Sequence, residues 1–188
     1  MRVNLTDKYK NTLYFLIFNK AYLGPDFRVL DRSVYPFILG KRHKNSYYDL
    51  YPNLMCLKNS LEILENIILD RGHIFFVGGE VALNTSLLCL AKTPQFNINV
   101  IPWDFSQITK IKDFDLLVLN DVNKISQLEI YSKMRPYVGV NCFTTEDLSY
   151  LLNLNLQNTI LLNWYLYILI YSCRKGLYSR IKKKKNEI

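Results

Sequence analysis

Apolar residues along the chain form several short continuous runs, which lie between segments of helical period. The runs cover residues 37–39, 74–77, 98–101, 115–119 and 137–140. A short apolar run without alternation of polar and apolar residues is typical of a strand buried on both faces of a parallel sheet. The pattern therefore predicts about five strands.

The segments between these runs carry apolar residues at spacings of three and four. The clearest set is Leu54, Leu57, Leu61, Leu64 and Ile68, which lie on one face of a predicted helix. Further helices are predicted at residues 7–21, 81–92 and 125–134, and a last one from 158 to 176 and beyond. Residues 24–26 are expected to break the first helix, and Gly72 is expected to adopt the left-handed conformation that ends the second.

Strands that alternate with helices imply right-handed crossovers and a parallel sheet covered on both faces. The predicted class is therefore α/β. Because the sequence shows no internal repeat and no interdomain linker, a single domain over residues 1–188 is predicted. It comprises an N-terminal helix and loop (1–33), an α/β core (34–176) and a basic C-terminal tail (177–188).

The chain carries a surplus of positive charge, with a formal net charge of +8 at pH 7. Since 49% of its residues are hydrophobic, it is expected to fold. The surplus favours a polyanionic partner, either nucleic acid or an anionic membrane surface, although it also serves solubility. Abundant Asn, Lys, Ile, Phe and Tyr with only three alanines suggest an AT-rich genome such as an organelle's, and the N-terminus does not resemble a targeting peptide.

Motifs for catalysis are weak in this sequence. Gly78-Gly79 follows a predicted strand, but no further glycine completes a G-x-G-x-x-G pattern, so a tight turn is predicted there. His43 and His73 lack a nearby nucleophile motif, and Glu146-Asp147 fits a helix cap better than a metal or acid–base site. Four scattered cysteines without a C-x-x-C pair predict buried free thiols in a reducing compartment. No catalytic residue, metal or cofactor is predicted.

Cations cluster in two parts of the chain, and tyrosines flank both clusters. In an RNA-binding surface, Arg and Lys would neutralise phosphates while Tyr stacks on bases or hydrogen-bonds to sugars. A solvated surface is the alternative for any single cation, and the lysine run 182–185 also fits a disordered arm. The candidate contacts are Arg28, Arg32, Lys41, Arg42, His43, Lys44, Asn45 and Tyr47 in the first cluster and Arg174, Lys175, Arg180 and Lys182 in the second.

Residues 161–173 are very apolar, but a membrane-spanning helix needs about 20 apolar residues. Asn163 also interrupts the run, so a buried helix is predicted and no membrane span. Two alternatives stay open on the residues alone. One is a membrane-surface protein held by this segment and the lysine run. The other is a nucleotide-binding enzyme on a Rossmann-like sheet.

Residues 22–78 resemble small-subunit ribosomal protein two, a universal component of the small ribosomal subunit. The similarity rests on residues 36–42 (Pro-Phe-Ile-Leu-Gly-Lys-Arg), Asp49-Leu50 and residues 72–78 (Gly-His-Ile-Phe-Phe-Val-Gly), preceded by Gly24 and Arg28 in the family's order. A looser similarity extends through residues 103–111, 114–121 and 135–141 to the last helix. The resemblance therefore covers nearly the whole chain.

Several family features are replaced or missing. Tyr22 and Pro25 stand where the family has two histidines, and residues 104–105 replace a glycine turn. The family's helical-hairpin insertion, expected after Thr109, is missing because a predicted strand begins at Asp115. The chain is thus similar to a reduced form of the family, as expected in a mitochondrial ribosome.

The resemblance implies a three-layer α/β/α fold with a flavodoxin-like parallel sheet of about five strands, without the helical hairpin. It also implies a structural, non-enzymatic role in the mitochondrial small subunit, with a plastid ribosome less favoured. There the protein would bind small-subunit rRNA near the head–body junction and contact neighbouring ribosomal proteins. No small-molecule substrate is expected. The cations of the first cluster, together with Asn45, are the foremost expected rRNA contacts.

Overall fold

A computed structural model describes residues 7–30, 32–78, 85–101, 113–120, 137–140 and 150–186 of the chain. The helices are α1 (Asp7–Phe18), α2 (Leu50–Leu69), α3 (Thr85–Ala91) and α4 (Thr159–Asn186), with a 3-10 helix at Arg32–Phe37. The strands are β1 (Leu23–Asp26), β2 (Ile38–Arg42), β3 (Asn45–Tyr48), β4 (Ile74–Val77), β5 (Ile98–Ile101), β6 (Leu116–Asn120), β7 (Tyr137–Val140) and β8 (Tyr150–Leu152).

Five strands form a parallel sheet in the order β5-β4-β6-β7-β8, and every neighbouring pair in it is parallel. Numbered from β4, its first strand in the chain, the sheet has the order 2-1-3-4-5. This is the order of flavodoxin-like folds. The predicted α/β class and flavodoxin-like parallel sheet are therefore confirmed. The position expected for the helical-hairpin insertion lies outside the described residues.

The continuous apolar runs arise because both faces of this sheet are buried. Ile74 and Phe76 of β4 face a core shared with α2, α3 and α4. Val77, the next residue along, and Leu117 and Leu119 of β6 face a second core on the opposite side. That second core also contains Leu30, Val34 of the 3-10 helix and Tyr48 of β3, so the segment from Leu30 to Tyr48 contributes to the layer on this side.

Helix α2 packs against α4, and the apolar face predicted for α2 is confirmed. Its residues Leu54, Leu57, Leu64 and Ile68 are buried, and the Asp49 side chain caps its start by accepting a hydrogen bond from the Tyr51 N–H. The two helices approach closely at Gly176. A Cβ there would lie 2.7 Å from the Glu65 carbonyl oxygen and 3.2 Å from Ile68 Cβ.

The assignment of two strands differs from the sequence-based prediction. Residues 37–39 were predicted as one of the five strands, but β2 belongs to a separate antiparallel sheet with β1 and β3. The fifth parallel strand is instead β8, whose three residues are too few to give a recognisable pattern. Residues 24–26 were predicted as a helix break, whereas they form most of β1, an edge strand that tolerates Pro25.

Some helix boundaries also differ from the predictions. The first helix ends at Phe18 rather than at residue 21, and the described part of the third begins at Thr85. The predicted helix at 125–134 lies outside the described residues. The last helix extends through Asn186, so the described part of the basic tail continues α4.

The end of α2 corrects the prediction for Gly72. Arg71, not Gly72, adopts the left-handed conformation, with φ of 65°. Gly72 is required there for space, because a Cβ would lie 2.6 Å from Ile67 Cγ2 and 2.9 Å from Asp115 Oδ2. The glycine therefore allows the close approach of α2 to the start of the sheet.

None of the helices in the described ranges is long and apolar enough to cross a membrane. The predicted lack of a membrane span therefore agrees with the described helices. In α4, the apolar first half is followed by a half that carries all the cations of the helix.

We expect Gly176→Ala to destabilise the protein. The added methyl group meets a backbone oxygen that cannot rotate away, and overpacking of this kind costs about 1–3 kcal/mol. The better helix propensity of alanine returns about 1 kcal/mol, so the expected net loss is up to about 2 kcal/mol. Urea unfolding followed by circular dichroism measures this loss of stability.

Gly40→Ala is the matched control, because a Cβ at Gly40 has no heavy atom within 4 Å. A midpoint for Gly176→Ala above that of the intact protein, as the helix-propensity gain alone would give, would contradict the close approach of α2 and α4.

The described cysteines should differ sharply in reactivity. Cys173 is fully buried, and burial raises the pKa of its thiol to about 12. At pH 8 roughly one such thiol in ten thousand is ionised, and the thiolate is the reactive species. Cys89 is exposed. Alkylation at pH 8 with peptide mapping should therefore label Cys89 in the folded protein and Cys173 only after denaturation. Comparable labelling of both in the native state would show that the α2–α4 core is open.

Candidate nucleic-acid interface

The first cation cluster lies on a small antiparallel sheet in the order β1-β3-β2. Strands β2 and β3 form a hairpin in which Arg42 lies opposite Asn45, so His43 and Lys44 are its two-residue turn. His43 has φ of 58°, which a tight hairpin turn requires and which histidine tolerates better than most residues. We call residues 38–48, together with Arg28 and Arg32, the basic hairpin.

The inner face of the small sheet is tightly fixed. Ser46 is buried, and its hydroxyl donates a hydrogen bond of 2.9 Å to the Pro25 carbonyl oxygen. A Cβ at Gly24 would overlap the Ser46 hydroxyl oxygen and lie 3.0 Å from the Tyr48 ring. Only glycine at position 24 therefore lets β1 lie so close to β3.

Backbone hydrogen bonds join both ends of the hairpin to the segment around β1. The Tyr48 N–H donates to the Tyr22 carbonyl oxygen at 2.8 Å, and the Phe27 N–H donates to the Lys44 carbonyl oxygen, also at 2.8 Å. The second bond holds the turn itself. The positive side chains are thus attached to a backbone that is ordered before any partner binds.

The outer face of the small sheet points away from the core. Residues opposite one another in an antiparallel pair share a face, which places Gly40 with Tyr47 and Arg42 with Asn45. The alternate residues of β3, Ser46 and Tyr48, are buried on the other face. The Tyr47 ring stacks on that of Tyr22, with centroids 5.8 Å apart and planes 16° apart.

A second aromatic pair supports one of the cations. The rings of Phe27 and Tyr35 stack with centroids 4.8 Å apart. Lys41 Nζ lies 5.2 Å from the centroid of the Phe27 ring, within the range of a cation–π contact. This contact orients the Lys41 side chain while leaving it exposed.

The basic hairpin has little compensating negative charge. Asp26 is the one carboxylate among the described residues from 22 to 48, and its Oδ1 accepts a hydrogen bond from the Arg28 backbone N–H. Within the described part of the chain, no carboxylate pairs with a cation of this cluster. Residues 22–48 carry five Lys and Arg side chains against Asp26 and Asp31, and this surplus of positive charge favours the attraction of polyanions. The exposed polar residues are Arg28, Arg32, Lys41, Arg42, His43, Lys44 and Asn45, and Tyr47 is half-buried.

Two cations of the second cluster contact other elements, although the Lys175 side chain is still 55% exposed. Lys175 Nζ lies 2.7 Å from Glu65 Oε2, and this hydrogen bond raises the pKa of Lys175. The Arg180 guanidinium donates to the carbonyl oxygens of Ile68 and Gln95, at 3.2 Å and 2.7 Å. Both cations thus join α4 to the C-terminal part of α2. Arg174 and Lys182 are exposed.

The structure does not bring the two clusters together. The hairpin leads directly into the start of α2, whereas Arg180 contacts its end. The 20 residues of α2 span about 30 Å, so the clusters lie at opposite ends of this helix. They form separate surfaces rather than one continuous patch.

The remaining candidate positions show structural roles where they are described. Gly78 has φ of 84° in the turn after β4, and the His73 backbone pairs with Asp115. Among the described residues, no group of three or more His, Cys, Asp and Glu side chains could hold a metal ion. Glu146-Asp147 lies outside the described ranges. The cysteine prediction is wrong for Cys89, which is exposed because the short helix α3 leaves one side uncovered.

The sequence analysis missed the roles of Tyr22, Phe27 and Gly40. Each of these roles depends on a contact or pairing with a residue distant in sequence, which a local pattern does not show. One signal was present: the alternation of outward Asn45 and Tyr47 with inward Ser46 and Tyr48 is the period of a half-buried strand. It would have indicated a hairpin closed by His43-Lys44.

No protein-family model matches the chain, and no curated protein matches it either. The resemblance to small-subunit ribosomal protein two therefore stays a prediction from the sequence.

Proposed function

We propose that the protein is a structural RNA-binding component of the mitochondrial small ribosomal subunit and performs no reaction. It would contact small-subunit rRNA near the head–body junction through the basic hairpin and would adjoin other small-subunit proteins. The observation that carries the proposal is the set of exposed cations, unpaired with carboxylates in the described chain, on a backbone fixed by Gly24 and Ser46.

The physical mechanism is neutralisation of phosphates on a preorganised surface. Each Arg or Lys that contacts a phosphate releases condensed counterions, which makes affinity fall as salt rises. Because the hairpin backbone is already ordered, little conformational entropy is lost when RNA binds. Such contacts position RNA without reading its sequence, which suits a protein that holds folded rRNA in register.

The two cation clusters would contribute unequally to RNA binding. Lys175 and Arg180 are engaged in contacts between α2 and α4, so their first role is to stabilise that helix pair. Arg174 and Lys182 are exposed and could contact a second RNA segment at the other end of the molecule. The basic hairpin is the primary site because its charges are exposed and its backbone is fixed by hydrogen bonds.

The mitochondrial and ribosomal parts of the proposal rest on the sequence. The order of motifs from Gly24 to Gly78 supports the ribosomal family, and the abundance of residues with AT-rich codons supports an organellar genome. Sedimentation of mitochondrial extracts on a sucrose gradient tests both parts. The protein should migrate with small subunits and leave that fraction after RNase treatment. Migration with membranes, or away from ribosomes with a bound nucleotide, would contradict the proposal.

Reversal of the turn charges should weaken RNA binding. We expect the double variant Arg42→Glu, Lys44→Glu to lose about ten-fold or more in affinity for a transcript of the small-subunit rRNA. The slope of log affinity against log salt should become shallower by about 0.7–0.9 for each phosphate that the variant no longer neutralises. Filter binding across a salt series measures both quantities.

The matched control is Lys58→Glu, Lys92→Glu, which changes the net charge equally at exposed sites outside the hairpin. It should weaken binding less and leave the slope nearly unchanged. Equal losses of affinity in the two double variants would mean that net charge, not the hairpin, attracts the RNA. That result would remove the basic hairpin as the primary site.

A further inference from the structure

The outer face of the small sheet carries a feature that phosphate binding does not use. We infer that Tyr47 and the open position beside it at Gly40 form a stacking slot for one unpaired base of the bound RNA. This inference rests on the proposed function, and it adds the class of RNA element that the hairpin recognises. The slot is defined by Tyr22, Gly40, Arg42, Asn45 and Tyr47.

Two cross-strand rows make up this face. In the first row Leu23, Tyr47 and Gly40 lie side by side on β1, β3 and β2. In the second row Asp26, Asn45 and Arg42 lie in the same order. The first row is thus apolar and aromatic, and the second, nearer the turn, is polar. A nucleotide has the same division, with an apolar base face and polar base edges and phosphate.

The cross-strand neighbour of Tyr47 on β2 is Gly40, which leaves the position of a side chain there empty. A Cβ built at Gly40 meets no heavy atom within 4 Å, so neither a side chain nor the backbone fills that position. On its other side the Tyr47 ring is supported by the Tyr22 ring. We therefore infer that the Tyr47 ring is held by Tyr22 and is open toward Gly40. A surface that stacks on a base requires this arrangement.

The charges beside the slot favour a nucleotide over an apolar side chain. Arg42 lies in the row next to Gly40 and has no carboxylate partner in the described chain, and Lys44 follows it in the turn. The phosphates on either side of a stacked base would lie within reach of such cations. The Asn45 amide and the Asp26 carboxylate lie in the same polar row and could accept hydrogen bonds from base edges, and the amide could also donate them.

Addition of a protein strand to the edge of β2 is a poor alternative. The pairing of β2 with β3 is irregular between Ile38 and Gly40, and Leu39 in between is 71% exposed. A bulge and charged residues such as Lys41 and Arg42 are devices that prevent pairing at a sheet edge. Because bases inside a duplex are stacked and paired, the occupant must be a base from a loop, bulge or single strand.

Two RNA probes test the slot: a single-stranded oligouridine that carries one 2-aminopurine, and a blunt RNA duplex of the same length. With the intact protein, 2-aminopurine fluorescence should be quenched as the base stacks. Tyr47→Leu should weaken single-strand binding by about ten-fold, within the range measured for loss of one aromatic stacking partner, with the salt slope unchanged. Tyr47→Phe should restore the affinity and the quenching, because the ring rather than the hydroxyl makes the contact.

Gly40→Ile is the second, independent variant. It fills the slot without removing the ring or any charge, and a β-branched residue suits a strand. It should abolish the quenching and weaken single-strand binding to a similar extent, while duplex binding stays unchanged. Thermal unfolding shows whether each variant is folded. If one variant does not fold, the other still tests the stacking slot.

The outcomes separate the two proposals. If Tyr47→Leu and Gly40→Ile bind and quench the oligouridine like the intact protein, the stacking slot is overturned. If at the same time Arg42→Glu, Lys44→Glu still weakens RNA binding, phosphate recognition by the hairpin stands without the slot. Loss of binding in the charge-reversal variant together with loss of quenching in the slot variants supports both.

Discussion

The burial of the inner face of the small sheet fixes the orientation of the basic hairpin. Tyr48 is 1% exposed and belongs to the same core as Val77 and Leu119 of the parallel sheet. Since side chains alternate along a strand, burying Ser46 and Tyr48 forces Asn45 and Tyr47 outward. Gly24 makes the arrangement possible, because any side chain there would displace Ser46. The positions of Arg42 and Lys44 are consequences of this packing.

The same packing connects the hairpin to the rest of the domain. β3 is followed at once by Asp49, which caps α2, and α2 in turn packs along α4 through Gly176 and Ser172. The hairpin is therefore joined to the helix pair by a short, hydrogen-bonded connection. The two cations that contact α2 near its end, Lys175 and Arg180, contribute to this stiffness. A rigid scaffold of this type agrees with the proposed role of holding RNA.

The local sequence pattern was sufficient to predict a strand that is buried on both faces or a helix that is buried along one face. The runs that became β4, β5 and β7 were predicted with the bounds that the structure shows, and the apolar face of α2 was read from its spacing. Of the small sheet, only part of β2 was predicted as a strand, and β1 was missed because it has only four residues and includes a glycine and a proline. Its pairing depends on β3, a strand that follows only after the 3-10 helix and β2.

The sequence by itself determined the α/β class, the apolar character of the strands and the existence of two basic clusters. These follow from composition, from continuous apolar runs and from periods of three to four residues, which need no knowledge of distant contacts. Only the tertiary structure decided which cations are free of carboxylate partners. It tied Lys175 and Arg180 to α2, left Arg42 and Lys44 exposed, and placed Tyr47 beside Gly40. The physical reason is that charge pairing and stacking depend on distances between residues far apart in sequence, and folding alone sets those distances.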